Sequence, residues 1–219
     1  MALNVPTNVR VLPQNKYLLS LMTILRDEKT DSARFTVAFE RVCSQLMVSA
    51  LDLVPAEKVT VISPIGTPYE GLKQTQKVCG VSILRAGASM ESSLRGAYSG
   101  PLSFGKILIQ RDEETATPTH LYSKLPQGLS SRTILILEPM LATGGSASQA
   151  IEILKQNGAL EENMIFVNCI ASRQGIAVLT EKFPKLAIVT AGVDSDMTAT
   201  KHISPGLGDF GDRFYGTGE

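Results

Sequence analysis

The sequence has no tryptophan, two histidines and three cysteines among 219 residues, and no excess of either charge. Lysine plus arginine and aspartate plus glutamate both number 21, and basic residues do not alternate with aromatic ones. This balance gives no basic surface that would bind nucleic-acid phosphates, so no nucleic-acid partner is expected. Polar ligands must instead be held by a local site.

Cys43, Cys79 and Cys169 lie far apart in apolar stretches. An odd number without Cys-x-x-Cys spacing argues against a disulfide framework or a zinc site and favours buried, reduced thiols. No apolar run approaches the roughly 20 residues of a membrane-spanning helix, so no membrane partner is expected. Residues Met1 to Gln14 lack the apolar segment of a secretory signal, and the expected location is cytoplasmic.

Hydrophobic spacing predicts two early helices, followed by strands that alternate with helices. Tyr17–Arg26 and a segment that follows the N-cap candidate Asp31 have apolar residues at helical intervals, which predicts an N-terminal helical cover on a sheet. Beyond Pro55 the alternation predicts one α/β domain over residues 1–219, with a mainly parallel β-sheet flanked by helices. The predicted strands are Val59–Ile62, Val78–Leu84, Lys106–Gln110, Thr133–Leu137, Ile165–Ile170 and Leu186–Thr190, and the predicted helices between them are Ala88–Tyr98, Ala147–Asn157 and Gln174–Lys182.

Ligands of such sheets bind beyond the carboxyl ends of the strands, which directs attention to four loops. The strand Thr133–Leu137 runs into a loop with Thr143, Gly144, Gly145 and Ser146, and a helix follows. Glycines let successive backbone N–H groups converge, and the helix start adds partial positive charge, so the loop is predicted to cradle an anion. A plain tight turn is the alternative. The loop lacks the Gly-Lys-Ser/Thr ending of a Walker A motif.

Three further loops carry polar groups. Arg85 follows a buried strand and can grip an oxyanion with two donors, although a surface ion pair is the alternative. The stretch Arg111–Pro118 is polar and suits a mobile hairpin over a site, or simply a solvated loop. In Ile203–Arg213, closely spaced glycines indicate backbone that lies against a ligand, where peptide groups could read the edge of a flat base and Phe210 could pack on it.

Together these segments resemble the uracil phosphoribosyltransferases, a branch of the type I phosphoribosyltransferases. The matching phrases are Ile83-Leu-Arg-Ala-Gly87, Arg111-Asp-Glu-Glu-Thr115, Glu138-Pro-Met-Leu-Ala-Thr-Gly-Gly-Ser146 and Pro205-Gly-Leu-Gly-Asp-Phe-Gly-Asp-Arg213. The resemblance extends from about Val9 to Thr217. It implies the type I phosphoribosyltransferase fold, with an N-terminal helical extension and a base-binding C-terminal segment.

The resemblance also implies a reaction and a set of site residues. The reaction converts uracil and 5-phosphoribosyl 1-diphosphate (PRPP) to UMP and diphosphate, with Mg²⁺ delivered largely by PRPP rather than by a certain protein site. Arg85, Arg111 and Asp209 are the implied catalytic residues. PRPP is bound by these three and by Glu138, Pro139, Met140, Leu141, Ala142, Thr143, Gly144, Gly145 and Ser146, with Ala142 to Ser146 around the 5′-phosphate, and uracil is bound by Ile203, Gly208, Asp209 and Phe210.

The chain departs from the family pattern at two positions. Family members usually have aspartate at the position of Glu138, where the extra methylene displaces the charge by about 1.5 Å. They usually have tyrosine at the position of His202, and a lone histidine is more often structural than catalytic.

The resemblance also implies an assembly. Members form homodimers or homotetramers, and some respond to GTP, which allows GTP binding here.

Three other interpretations compete with this one. A non-catalytic regulator that binds RNA or a nucleotide is disfavoured by the balanced charge and by the presence of Arg85, Arg111 and Asp209. A purine-type enzyme of the same fold is disfavoured by the phrase Pro205–Arg213. A purely structural domain would leave the coincidence of four loops unexplained.

Overall fold

The computed structural model describes residues 6–111 and 118–218, with Arg111 described by its backbone alone. Strands and helices alternate through most of this range, as the sequence predicts. The strands are β1 (Val9–Val11), β2 (Glu57–Ile62), β3 (Pro68–Lys73), β4 (Val78–Leu84), β5 (Leu102–Arg111), β6 (Pro118–Lys124), β7 (Thr133–Leu137), β8 (Met140–Leu141), β9 (Met164–Ser172), β10 (Ala187–Asp194), β11 (Asp196–Met197) and β12 (Ile203–Ser204). The α-helices are α1 (Lys16–Arg26), α2 (Ser32–Leu51), α3 (Glu91–Ala97), α4 (Gly145–Gln156), α5 (Arg173–Lys182) and α6 (Phe210–Tyr215).

The main sheet has the strand order β1-β10-β9-β7-β4-β5-β6, and β8 pairs with β9 beside this path. All neighbours are parallel except β5 and β6, which form an antiparallel edge. The central strands β4, β7 and β9 are buried along nearly their whole length, because helices cover both faces. The predicted mainly parallel sheet is confirmed, and the carboxyl ends of β4 and β7 come to the same edge.

The two early helices cover one face of the sheet, as predicted. Asp31 caps α2 by accepting a hydrogen bond from the backbone N–H of Arg34 at 2.8 Å, and Asn15 caps α1 in the same way. The apolar sides of α1 and α2 pack against each other and against residues such as Val167 and Val189 of the sheet. These apolar faces are therefore occupied by the chain's own core.

The strand predicted at Val59–Ile62 exists as part of β2, but its predicted place in the parallel sheet is wrong. It pairs antiparallel with β3 in a separate two-stranded hairpin. The side chains of this hairpin are mostly exposed, and Ile65 at its turn is 87% exposed. A run of β-branched residues predicts a strand, but it does not say which partner the strand has.

The three cysteines are free and buried, as predicted from their apolar surroundings. Burial raises the pKa of the Cys43 and Cys169 thiols to about 12, so both are protonated at neutral pH. Cys79 is buried on the opposite face of the sheet, and its pKa is raised for the same reason. No helix within the described ranges is both long enough and apolar enough to span a bilayer.

Candidate active site

A cleft of about 590 Å³ lies where β4 and β7 end and the C-terminal segment crosses them. Its volume is within the range of pockets that hold small-molecule ligands. Three of the four segments predicted from the sequence meet there. The lining residues include Arg85, Glu138, Met140, Leu141, Ala142, Gly144, Ser146, Ile203, Gly208, Asp209 and Phe210.

The glycine-rich loop turns from the sheet into α4 at Gly144, which has a φ of +83°. A side chain is strained at that φ, and a Cβ there would lie 3.1 Å from Val178 Cγ1, so glycine is required. The N-cap residue Gly144 has no side chain to cap the start of α4. Gly144, Ser146 and Ala147 at this helix start line the cleft, and a helix N-terminus at a cleft is an arrangement that binds phosphate. Pro139, Thr143 and Gly145 lie within this loop but do not line the cleft.

A close backbone contact joins the Arg85 loop to the end of β7. A Cβ on Gly87 would lie 2.1 Å from the carbonyl oxygen of Leu137, a distance that no side chain tolerates. Leu137 immediately precedes Glu138, which lines the cleft. The glycine therefore lets the loop that carries Arg85 pack directly beside the loop that carries Glu138.

Arg85 lies at the C-terminal end of β4, and the C-terminal segment contacts its guanidinium group. Its Nη2 donates to Asp212 Oδ1 at 3.1 Å, and its Cζ lies 5.4 Å from the centre of the Tyr215 ring. The surface ion pair that the sequence offered as an alternative is thus present. Because a guanidinium has five N–H donors, this pair leaves donors for a ligand in the cleft that Arg85 lines.

Asp209 caps α6, since its Oδ1 accepts from the backbone N–H of Asp212 at 3.0 Å. Phe210 borders the cleft, but its ring is almost fully buried and packs edge-on against Phe35 and Phe39 and stacks on Phe214. The expected contact between this ring and a base is therefore not supported. The ring belongs to the core, and the peptide groups of the segment are what a base could reach.

The segment between Ile203 and Gly208 is a tight turn. The bond between Ser204 and Pro205 is cis, and Gly206 and Gly208 have φ of +58° and +80°. A Cβ on Gly206 would lie 2.2 Å from the carbonyl oxygen of Ile203. The glycine density noted in the sequence thus has a local cause, because the backbone folds against itself here.

Thr200 and Lys201 are among the cleft residues that sequence reasoning missed. Lys201 is the one non-glycine residue in the described chain with a positive φ, at +64°. His202 also lines the cleft, and its Nδ1 lies 3.1 Å from the Thr200 hydroxyl. The strained backbone of Lys201 has no signature in the sequence, since lysine is not a residue that favours this conformation.

Arg111 ends β5, but its side chain and residues 112–117 lie outside the described part of the chain. The predicted role of Arg111 and the predicted hairpin over the site are therefore untested. Among described side chains, no group of three or more His, Cys, Asp or Glu could hold a metal ion. The described lining of the cleft includes two carboxylates, Glu138 and Asp209, whose oxygens suit Mg²⁺ when phosphate oxygens complete the set.

Comparison with known proteins decides the family. A family model described as uracil phosphoribosyltransferase matches residues 11–217. The chain belongs to this family. The uracil phosphoribosyltransferase of Dictyostelium discoideum is 46% identical over 212 residues, which are 97% of this chain and 98% of that one. The Saccharomyces cerevisiae uracil phosphoribosyltransferase is 44% identical over 208 residues, covering 95% and 96% of the two chains.

The structural comparison agrees with the sequence comparison. A solved structure of an Aquifex aeolicus protein has a TM-score of 0.84 at 28% identity, and the match covers 94% of this chain and 97% of that one. The type I phosphoribosyltransferase fold predicted from the sequence is confirmed. Three of the four phrases that carried the resemblance contribute residues to the cleft.

Proposed function

We propose that this chain transfers the phosphoribosyl group of PRPP to N1 of uracil, which makes UMP and releases diphosphate. Besides the family membership, one structural observation supports the proposal. A phosphate-type helix start at Gly144, an arginine at the end of β4 and the backbone turn at Gly208 all line the same cleft. A ligand with a phosphate at one end, a diphosphate at the other and a base beside it needs these three kinds of group together.

For PRPP, the loop Ala142–Ser146 is proposed to hold the 5′-phosphate with the N–H groups that begin α4. Arg85 and Arg111 are proposed to hold the diphosphate, where negative charge grows as the C1–O bond breaks. Glu138 lines the cleft beside the phosphate loop and is proposed to accept hydrogen bonds from the ribose hydroxyls. Its charge would also ease the positive charge that develops on the ribose ring.

For uracil, the peptide groups of Ile203, Gly208 and Phe210 are proposed to hydrogen-bond the edge of the base. Asp209 lies next to them at the start of α6 and is proposed to sit between uracil and PRPP. A neutral base is a weak nucleophile, so alignment must supply much of the rate, and alignment can contribute about 7–11 kcal/mol. No described residue is an obvious general base, and Asp209 is the best-placed carboxylate.

Mg²⁺ is proposed to arrive bound to the diphosphate of PRPP. When bound, the ion neutralises charge on the leaving diphosphate. Glu138 and Asp209 are carboxylates of the cleft that could contact it or its water ligands.

The hairpin Arg111–Pro118 stays a prediction for the lid that keeps water away from the ribose. Slower hydrogen exchange there in the presence of PRPP would support the lid, and unchanged exchange would contradict it.

A homodimer or homotetramer is proposed, with the β2–β3 hairpin as the subunit contact. The hairpin exposes Ile62, Ile65 and Leu72 by 68%, 87% and 71%, which is costly in water unless a partner covers them. Light scattering should show that Ile65→Asp dissociates the assembly. Leu160→Asp, at an apolar position that is 44% exposed outside the hairpin, should leave it intact.

A cytoplasmic location and a response to GTP stay predictions of the family resemblance.

The deciding experiment is a radiolabelled-base assay with Mg²⁺ and PRPP, in which uracil, cytosine, hypoxanthine and orotate are offered side by side. UMP formed from uracil alone is the expected result. Product from hypoxanthine would instead indicate a purine-type enzyme. No product from any base, while PRPP still binds, would indicate a site that is kept for binding and regulation.

A further inference from the structure

A buried ion pair joins α1 to the end of β10. Arg26 donates with Nη2 to Asp194 Oδ1 at 2.7 Å and with Nη1 to Asp194 Oδ2 at 2.8 Å. The Asp194 side chain is 6% exposed and the Arg26 side chain 26%. This is the two-pronged geometry that makes arginine–carboxylate pairs both strong and directional.

Both members of the pair also bind the backbone of the same residue in the C-terminal turn, Gly206. Nη1 of Arg26 donates to the carbonyl oxygen of Gly206 at 2.7 Å. The backbone N–H of Gly206 donates to Asp194 Oδ2 at 2.9 Å. Gly206 is therefore held from both sides, at the point where its positive φ folds the turn against Ile203.

Neither Arg26 nor Asp194 lines the cleft, but both contact the Ile203–Gly208 turn. Ile203, Pro205 and Gly208 line the cleft, whereas Arg26, Asp194 and Gly206 are not among its lining residues. A buried ion pair is seldom more stabilising than apolar side chains of the same size, so stability alone does not account for it. Its hydrogen bonds fix the two peptide units that flank Gly206, and Ile203, Pro205 and Gly208 of the same turn line the cleft.

We propose that Arg26 and Asp194 are positioning residues for base recognition, which act by fixing the Ile203–Gly208 turn. The proposal rests on the proposed role of that turn in binding uracil. It gives the N-terminal helix α1 a part in specificity, in addition to covering the sheet. In the proposed function PRPP is held mainly by the loops after β4 and β7, so its binding should depend little on this pair.

The test compares Arg26→Lys with a matched control, Arg10→Lys. Lysine keeps the charge but cannot bridge both carboxylate oxygens and the Gly206 carbonyl at once. Arg10 also forms a 2.7 Å ion pair, with Asp52, but it does not contact the turn. R26K should raise KM for uracil about tenfold, as expected for the loss of a hydrogen bond between charged groups, with KM for PRPP within twofold. R10K should change neither constant.

A second measurement follows the turn itself. The Gly206 amide should exchange with solvent faster in R26K than in R10K, because its acceptor is no longer held in place. Asp194→Asn, which keeps the shape of the side chain, replaces R26K if that variant does not fold, and the same shift in KM for uracil is expected. Equal rises in both KM values, or a lower melting temperature with unchanged KM values, would overturn the positioning role. Wild-type protein that makes no UMP would overturn the proposed function itself, and the base role with it.

Discussion

The guanidinium of Arg85 lies 3.1 Å from the carboxylate of Asp212, which joins the loop after β4 to helix α6. The hydroxyl of Thr217 donates to the same carboxylate oxygen at 2.6 Å, and the hydroxyl of Tyr215 donates to the carbonyl oxygen of Arg85 at 3.1 Å. The C-terminal segment therefore supports both the side chain and the backbone of Arg85. In the proposed function, this arginine is oriented before diphosphate arrives.

The first prediction concerns the pKa of Asp212. The hydrogen bond from Thr217, and then that from Arg85, lowers this pKa below its usual value. The contact with Arg85 is therefore complete above the usual range of aspartate and is lost as the pH falls through the lowered pKa. Thr217→Val should raise the pKa, so the contact is lost at a higher pH. NMR titration of the Asp212 carboxyl carbon measures this.

Thr36→Val is the matched control. The Thr36 hydroxyl, on α2, donates to the carbonyl oxygen of Phe214, which lies in α6 together with Asp212, and it makes no bond to Asp212. This variant should leave the Asp212 titration where it is. An Asp212 pKa that is the same in wild type and in Thr217→Val would contradict the assigned cause.

The second prediction concerns the close approach at Gly87. Gly87→Ala should lower the free energy of unfolding by about 1–3 kcal/mol, because its Cβ would displace the carbonyl of Leu137. It should also lower turnover, since the displaced strand end carries Glu138. Gly96→Ala is the control, because a Cβ there meets no atom within 4 Å, and it should raise stability by about 0.5–1 kcal/mol. Denaturant unfolding that ranks the two variants in the opposite order would contradict this packing argument.

The third prediction concerns the charge at Glu138. Glu138→Gln should lower kcat/KM for PRPP at least about tenfold, because a neutral amide binds the ribose hydroxyls more weakly and offers no charge to the ribose ring. Glu138→Asp keeps the charge and restores the residue usual in the family, so it should retain most of the activity. Steady-state kinetics with PRPP varied at saturating uracil provides the comparison. Full activity in Glu138→Gln would remove Glu138 from the proposed site.

The fourth prediction concerns the strained backbone at Lys201. Lys201→Asn should raise the free energy of unfolding by about 0.5–1 kcal/mol, because asparagine tolerates the left-handed conformation better than lysine does. Lys29→Asn makes the same chemical change at an exposed position with an ordinary φ and should stay within about 0.5 kcal/mol of wild type. The strain would be refuted if the two variants shifted the unfolding midpoint equally.

The fifth prediction concerns Arg111. Arg111→Ala should lower kcat about 100-fold or more, because the variant lacks a donor proposed to stabilise the developing charge on diphosphate. Its melting temperature should stay close to that of wild type. Arg10→Ala serves as a control that removes an arginine paired with Asp52 outside the cleft. Unchanged turnover in Arg111→Ala would exclude a catalytic role.

Local sequence signals located much of the fold. The strands β4 and β7 have the bounds predicted, because continuous apolar runs between polar loops mark buried strands. The start of α2 was predictable because Asp31 is a strong capping residue in its sequence context. The glycine-rich loop before α4 was also predictable, because a strand, a run of glycines and a helix follow one another closely in the sequence.

Features that depend on distant partners were not predictable. The edge strand β6 is exposed and polar, so it lacks an apolar pattern, and β1 is only three residues long. Nothing near Arg26 in the sequence indicates that it binds Asp194, 168 residues away. The ring of Phe210 was expected at the base. Its packing against Phe35 and Phe39 was not predictable, because both belong to α2, which is far from Phe210 in the sequence.

The contact between Arg26 and Gly206 has a consequence for how the protein is made. The two residues are 180 positions apart, and Arg213 likewise returns to the carbonyl oxygen of Asp27. On the ribosome, α1 and α2 emerge long before the turn that they support. The sheet and the loop Ala142–Ser146 can begin to fold during synthesis, whereas the proposed base side of the cleft can form only after the Ile203–Gly208 turn has emerged. A ribosome-bound nascent chain halted before residue 203 would contain the loop Ala142–Ser146 without the Ile203–Gly208 turn.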